Sequence, residues 1–254
     1  MPDAGNQGSP VPLSSQLAGK VAIVTGGARG LGAEVCRVLT NDGAHVVCAD
    51  QREPQARELV EELRRVNPRA AALRVDISDA AEAARAIAEV MELHGRVDIV
   101  INNAAVDVTL PADELAVADW TRIINTNLNG PYWLCRAAFP LMKRQKGGHI
   151  VNMASTASKR TWANASAYHA SKWGLLGLSH ALHVEGRPHG IKVTAVVSGG
   201  MRTPFLFERF PDLDPNLLQE PRHVADTIRF VLTCPAETVI PEIMVLPMTE
   251  TSWP

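Results

Sequence analysis

Short runs of β-branched and other apolar residues alternate along this chain with longer stretches of helical period, and no other feature limits its fold so tightly. Val21–Thr25, Ala44–Asp50, Ala71–Ser78, Val97–Ala105, His149–Ser155 and Ile191–Ser198 read as strands. Between them, helical stretches are expected at Leu31–Asn41, Pro54–Val66, Ala80–His94, Trp120–Arg144 and Ala167–Gly186. In Pro54–Val66, Leu59, Val60, Leu63 and Val66 recur at helical spacing with charges between them. Gly43 and Gly95 stop the first and third helices. Such βαβ alternation calls for a parallel sheet covered by helices on both faces, joined by right-handed crossovers. Ligands in that architecture bind at the carboxyl ends of the strands. No repeat or linker divides the chain. One α/β domain over residues 17–254 is expected, after a flexible lead of residues 1–16 rich in Pro, Gly, Ser and Asn.

The chain is 46% hydrophobic over 254 residues, enough for one sizeable core. Its net charge of −2 provides no basic field for nucleic acid or an anionic membrane, so a small molecule is the expected partner. No apolar run approaches the roughly 20 residues needed to span a bilayer. The N-terminus lacks the basic start and apolar stretch of a secretory signal, and a cytoplasmic location is expected. Cys36, Cys48, Cys135 and Cys234 lie far apart without a Cys-x-x-Cys pair and are expected to be reduced packing residues. His180, His183, Glu185 and His189 straddle a helix and a loop without clean ligand spacing, and no metal site is expected.

The first strand runs directly into Thr25-Gly26-Gly27-Ala28-Arg29-Gly30-Leu31-Gly32, which opens a helix. Glycines suit a sharp turn whose backbone approaches a pyrophosphate, and the helix N-terminus supplies free N–H groups and a positive dipole end. A simple turn would also use glycines, but the strand before and the helix after favour the phosphate cradle. Asp50 closes the second strand 18 positions after Gly32, where a carboxylate can accept from the adenosine ribose hydroxyls and repel a 2′-phosphate. Arg29 and Arg52 pull the other way, since either could pair with that phosphate. NAD is favoured, with NADP possible, because the carboxylate is fixed at a strand end.

Tyr168 and Lys172 are four apart on a helix and project from one face. An ammonium about 5 Å from the phenol would favour its ionised form by roughly 3 kcal/mol at an effective dielectric near 20, drawing its pKa down from about 10. Lys172 also suits ribose hydroxyls as a multiple donor. Ser155 ends a buried strand 13 positions before Tyr168, where its hydroxyl can hold a reacting oxygen.

The spaced glycines Gly26, Gly30 and Gly32, with Asn102-Asn103-Ala104-Ala105, Ser155 and Tyr168-His169-Ala170-Ser171-Lys172, resemble the short-chain dehydrogenase/reductase family over roughly residues 17 to 205. The resemblance implies a doubly wound, Rossmann-like sheet of about seven strands and a homo-oligomer, a tetramer or dimer. It further implies an oxidoreductase moving hydride between NAD(P) and a secondary alcohol or ketone. Tyr168 would be the general acid/base, Lys172 its partner and a ribose ligand, Ser155 the holder of the substrate oxygen. Asn127, in Asn127-Leu128-Asn129-Gly130, matches the family's asparagine that holds a relay water. Coenzyme contacts are implied for Gly26, Arg29, Gly30, Leu31 and Gly32 in the turn, for Asp50, Asp76, Ile77 and Asn102, and for Met201 and Thr203 beside the nicotinamide. Asp76 could equally cap a strand end.

Family members commonly have Pro-Gly after the sixth strand, and this chain has Ser198-Gly199-Gly200. Its substrate lid is expected at about 203–220, with Gly199 and Gly200 as hinges. Phe205, Phe207 and Phe210 could line the pocket or dock the lid, and Val106 and Trp162 are further wall candidates. Trp162, Trp173 and Trp253 are expected in packing or subunit contacts. Two other readings stay open: an NADPH-dependent ketone reductase using Arg29 and Arg52, and a catalytically silent NAD(H)-binding sensor or scaffold.

Overall fold

A computed structural model describes residues 16–250; of the expected flexible lead only Gln16 falls within it, and Trp253 lies outside the described residues. Seven strands form one wholly parallel sheet in the order β3-β2-β1-β4-β5-β6-β7. They are β1 (Val21–Thr25), β2 (His45–Asp50), β3 (Ala71–Arg74), β4 (Ile99–Asn102), β5 (Gly148–Met153), β6 (Ile191–Ser198) and β7 (Glu242–Val245). The helices are α1 (Gly30–Asn41), α2 (Glu53–Arg64), α3 (Ala80–His94), α4 (Val117–Ile124), α5 (Gly130–Gln145), α6 (Ser166–Gly186), α7 (Pro204–Phe207) and α8 (Pro221–Leu232).

The uninterrupted apolar strands follow from burial on both faces. Ala22 and Val24 of β1 pack in one layer with α1, α2 and α8, whereas Val21 and Ile23 pack in the other with α3, α5 and α6. The sheet is thus doubly wound. Strand order reverses between β1 and β4, which opens a crevice at their carboxyl ends.

Several elements differ from the sequence expectation, and α8 answers to none of the expected helices. β3 stops at Arg74 because the Asp76 carboxylate turns the chain, accepting from the Ser78 amide at 2.9 Å and the Ser78 hydroxyl at 2.7 Å. β4 ends at Asn102, where the Thr25 hydroxyl accepts from the amides of Asn103 and Ala104 and draws the chain toward the glycine turn. The helix expected over Trp120–Arg144 begins at Val117 and is interrupted at Asn125–Asn129 by a π-helical turn. Single π turns within helices are frequent at functional sites, and this one carries Asn127.

Local signals elsewhere behave as propensity dictates. Asp79 caps α3, accepting from the amides of Ala81 (2.7 Å) and Glu82 (3.0 Å), and Gly95 closes the helix in the left-handed conformation. Asp79→Ala is expected to cost about 1 kcal/mol in urea unfolding, with the slope of the transition unchanged.

Candidate active site

The crevice between β1 and β4 widens into a cleft of about 410 Å³, within the range usual for small-molecule sites. Gly26, Arg29, Gly30 and Leu31 line one end with Asp50, Arg52, Asp76 and Ile77. Val106, Asp107, Tyr168 and Lys172 line the other, with Ser198, Met201 and Thr203 between β6 and the lid.

The glycine turn is built for close approach. Gly26 has φ of +60°, and a Cβ there would lie 2.8 Å from the Ala104 Cα. Gly32 lies behind the cleft lining, where a Cβ would sit 2.0 Å from the Gly26 carbonyl oxygen. Among the described residues no side chain caps α1, and its first turn carries no acidic residue, which suits its amides to an anion. Those features suit a pyrophosphate. At the end of β2 the Asp50 carboxylate, 4% exposed, accepts from the amides of Ala28 (3.1 Å) and Arg52 (2.9 Å). It is a fixed acceptor beside the turn.

Asn102 is a correction. Its side chain points away from the cleft, 2% exposed, and donates to Asn152 Oδ1 at 2.7 Å and to Cys135 Sγ at 3.5 Å. Alternation along β4 sends Asn102 one way and its neighbour the other. Asn103 lines the cleft instead, and its amide donates to the carbonyls of Thr25 (2.9 Å) and Gly26 (3.1 Å). The doubled asparagine gave no sign of which one faces the ligand.

At the far end Tyr168 and Lys172 share a face of α6, with the ammonium 5.6 Å from the phenol ring centroid. Lys172 Nζ donates to the Met153 carbonyl at 2.7 Å. Ser155, just beyond β5, accepts from the Ala157 amide at 3.2 Å and hydrogen-bonds the Tyr168 hydroxyl. The expected lowering of the phenol pKa by Lys172 is not what the site produces. Burial pushes Tyr168 up to about 12, against the Ser155 hydrogen bond and the Arg209 guanidinium, while Asp107 adds to the rise. Burial likewise brings Lys172 down to about 8, opposed by the Asp107 charge. Desolvation is the largest influence on both groups.

Asn127 is committed to positioning. Its amide nitrogen donates to the Val106 carbonyl (2.8 Å) and to Ser171 Oγ (3.2 Å), and its oxygen accepts from the Val106 amide (2.8 Å). Ser171 in turn donates to the Tyr168 carbonyl at 2.7 Å. The π turn is thereby tied both to the loop after β4 and to the helix bearing Tyr168.

Four charged residues line this cleft without any role expected from sequence: Asp107, Arg122, Glu208 and Arg209. Asp107 is buried and ion-paired with Arg209, whose guanidinium lies 4.1 Å over the Phe205 ring. Burial raises the Asp107 carboxyl above its usual range, and Arg209 opposes that rise. Glu208 pairs with Arg29. The sequence marks only Glu208 and Arg209, as adjacent opposite charges just after Phe207.

Phe205 lies 6.2 Å from the Tyr168 ring and lines the cleft, as does Val106. Trp162 stands outside the lining, 45% exposed, with its ring edge on His169 at 4.3 Å. Gly199 and Gly200 have no room for a side chain: a Cβ would meet Pro247 at 2.8 Å and Leu218 at 2.6 Å respectively. Close packing of the tail and lid explains their smallness.

Residues 20–214 match the family model described as short chain dehydrogenase. Trans-4-hydroxycyclohexanecarboxylate dehydrogenase of Sinomonas cyclohexanicum is 32% identical over 228 residues, covering 86% of this chain and 88% of that protein. 3beta-hydroxysteroid dehydrogenase 1 of Eggerthella lenta is 34% identical over 202 residues, covering 79% and 77%. The crystal structure of a metagenomic short-chain oxidoreductase in complex with NADP aligns with a TM-score of 0.82 at 33% identity, covering 93% of this chain and 100% of that one.

Proposed function

Because this chain belongs to the short-chain dehydrogenase/reductase family, we propose that it is an NAD-preferring oxidoreductase acting on a secondary alcohol or ketone. The observation that carries this reading is the meeting of Tyr168, Lys172 and Ser155 at one end of a cleft whose other end is the glycine turn and Asp50. When bound, the nicotinamide supplies the hydride acceptor or donor. Gly26, Gly30, Leu31 and the α1 amides hold the pyrophosphate, with Gly32 keeping the helix against the turn. Asp50 reads the adenosine ribose, Asp76 and Ile77 flank the adenine, and Met201 and Thr203 hold the carboxamide end.

In oxidation Tyr168 accepts the substrate hydroxyl proton; in reduction it returns one to the nascent alkoxide. Ser155 holds that oxygen, Lys172 holds ribose hydroxyls, and Asn127 steadies the loop and supports the proton relay. Ionised Lys172 favours the phenolate whenever the proton has left. The exposed rings of Trp120, Tyr132 and Trp173 suit burial between copies of the chain, in the dimer or tetramer that the family resemblance implies.

A panel of secondary alcohols and ketones, followed by absorbance of the reduced nicotinamide, tests the activity; no turnover across it despite tight NADH binding would favour a silent binder. Coenzyme preference is tested apart. Asp50→Asn is expected to weaken NADH binding about 10-fold, the worth of a lost charge-assisted hydrogen bond, and to narrow the gap to NADPH. If NADPH already binds the unaltered protein more tightly, the NAD assignment is wrong and the ketone reductase reading takes its place.

A further inference from the structure

Consecutive residues Glu208 and Arg209 carry opposite charges to two different charged partners lining the cleft. Arg209 meets Asp107 on the substrate side, and Glu208 meets Arg29 on the coenzyme side. The second contact is bidentate: both Glu208 oxygens accept from the two terminal nitrogens of Arg29, one pair at 3.0 Å. The pair lines the same cleft as Asp50, the proposed ribose reader. Asp50 binds the Ala28 amide through one oxygen and the Arg52 amide through the other. Asp50 thus holds the backbone of Arg52 itself and of Ala28, the residue before Arg29, which brings both arginines near the proposed ribose reader. Arg29, Asp50, Arg52 and Glu208 all line this one cleft. Arg29 and, more weakly, Arg52 hold the Glu208 carboxyl below its usual range.

We infer that Glu208 is a coenzyme-specificity residue: its carboxylate occupies Arg29 as an internal anion and selects against the 2′-phosphate of NADP. A phosphate arriving there must either displace Glu208, loosening the lid on that side, or settle with both carboxylates nearby. NAD meets neither cost, since its ribose hydroxyl asks only for the Asp50 acceptor. The effect of Glu208 is bounded by its exposure, because solvent screens an exposed pair. This inference rests on the proposed dehydrogenase function and assigns a preference that Asp50 alone does not complete.

The test is calorimetric titration of the full chain with NADH and with NADPH, for the unaltered protein, Glu208→Gln, Arg29→Gln and the double variant. Glu208→Gln is expected to tighten NADPH binding about 10-fold at low salt while NADH changes by less than about 2-fold, and the gain should shrink at high salt. In the double variant the gain should vanish, because the freed guanidinium is what takes the phosphate. An equal change for both coenzymes would overturn the inference and leave Glu208 a lid tie only. No change for either, or a gain that survives loss of Arg29, would also overturn it. If neither coenzyme binds the unaltered protein, the dehydrogenase reading fails first and takes this inference with it.

Discussion

Tyr168→Phe is expected to lower turnover about 10³-fold, the scale of a lost general acid/base, while NADH affinity stays within about 2-fold. The substitution removes only the hydroxyl. The ring is 9% exposed and stands 6.2 Å from Phe205, so its packing survives. Lys172 keeps its bond to the Met153 carbonyl, and the glycine turn lies at the other end of the cleft. Loss of chemistry with binding retained separates a catalytic phenol from a structural one. The pH behaviour follows from burial. With its pKa raised to about 12, the phenol is protonated throughout the neutral range. It is thus ready to donate, and the reductive rate should gain nothing as pH rises. Oxidation requires the phenolate, whose population grows with pH, so the oxidative rate should climb across the same range. A Phe variant that retains unaltered turnover, or an oxidative rate that falls between pH 6 and 8, would remove Tyr168 from this role.

What the sequence reveals of such a site depends on whether a function rests on local pattern or on distant meeting. The glycine turn, Asp50 at the end of β2, and the Tyr168–Lys172 spacing on α6 are each local, and each could be placed before any coordinate existed. The two-layer core was equally legible, since strands apolar at every position can only be covered twice. Strand ends were less so: β3 and β4 stop where Asp76 and Thr25 capture backbone groups, a competition that hydrophobic runs do not register. The π turn was invisible because Asn125–Asn129 carries the same periodicity as the helices flanking it. Choosing between Asn102 and Asn103 required the strand register to within one residue.

The pKa of Tyr168 departs from the sequence expectation for a related reason. Its Lys172 neighbour is visible in the spacing, whereas the burial that outweighs it belongs to the tertiary structure. The ion pairs of Glu208 with Arg29 and of Arg209 with Asp107 join residues separated by 179 and 102 positions. Nothing local announces either pairing.

Gly32→Ala should prove the most damaging change to the proposed coenzyme site that adds a single methyl group. Its Cβ would fall 2.0 Å from the Gly26 carbonyl oxygen and 2.7 Å from Asn103 Nδ2, far inside contact distance. Neither neighbour can retreat cheaply. The Gly26 carbonyl is held by the Asn103 amide at 3.1 Å, and Gly26 itself is pinned in the left-handed region against Ala104. Relief must come from α1 moving outward, which carries its free amides away from the position where a pyrophosphate would meet them. Misplacement by about 1 Å can cost two orders of magnitude, so NADH affinity should fall about 100-fold. Overpacking of this kind should also lower stability by about 1–3 kcal/mol. Gly147→Ala is the matching control, since its Cβ would have only the Gly190 oxygen at 3.6 Å for a near neighbour. That change should leave both binding and stability within about 0.5 kcal/mol of the unaltered protein. The two variants differ from their parent by the same atom and diverge only through what that atom meets. Were Gly32→Ala to bind NADH like its control, the junction of β1 and α1 could not be the coenzyme cradle, and the anion would have to be held elsewhere in the cleft.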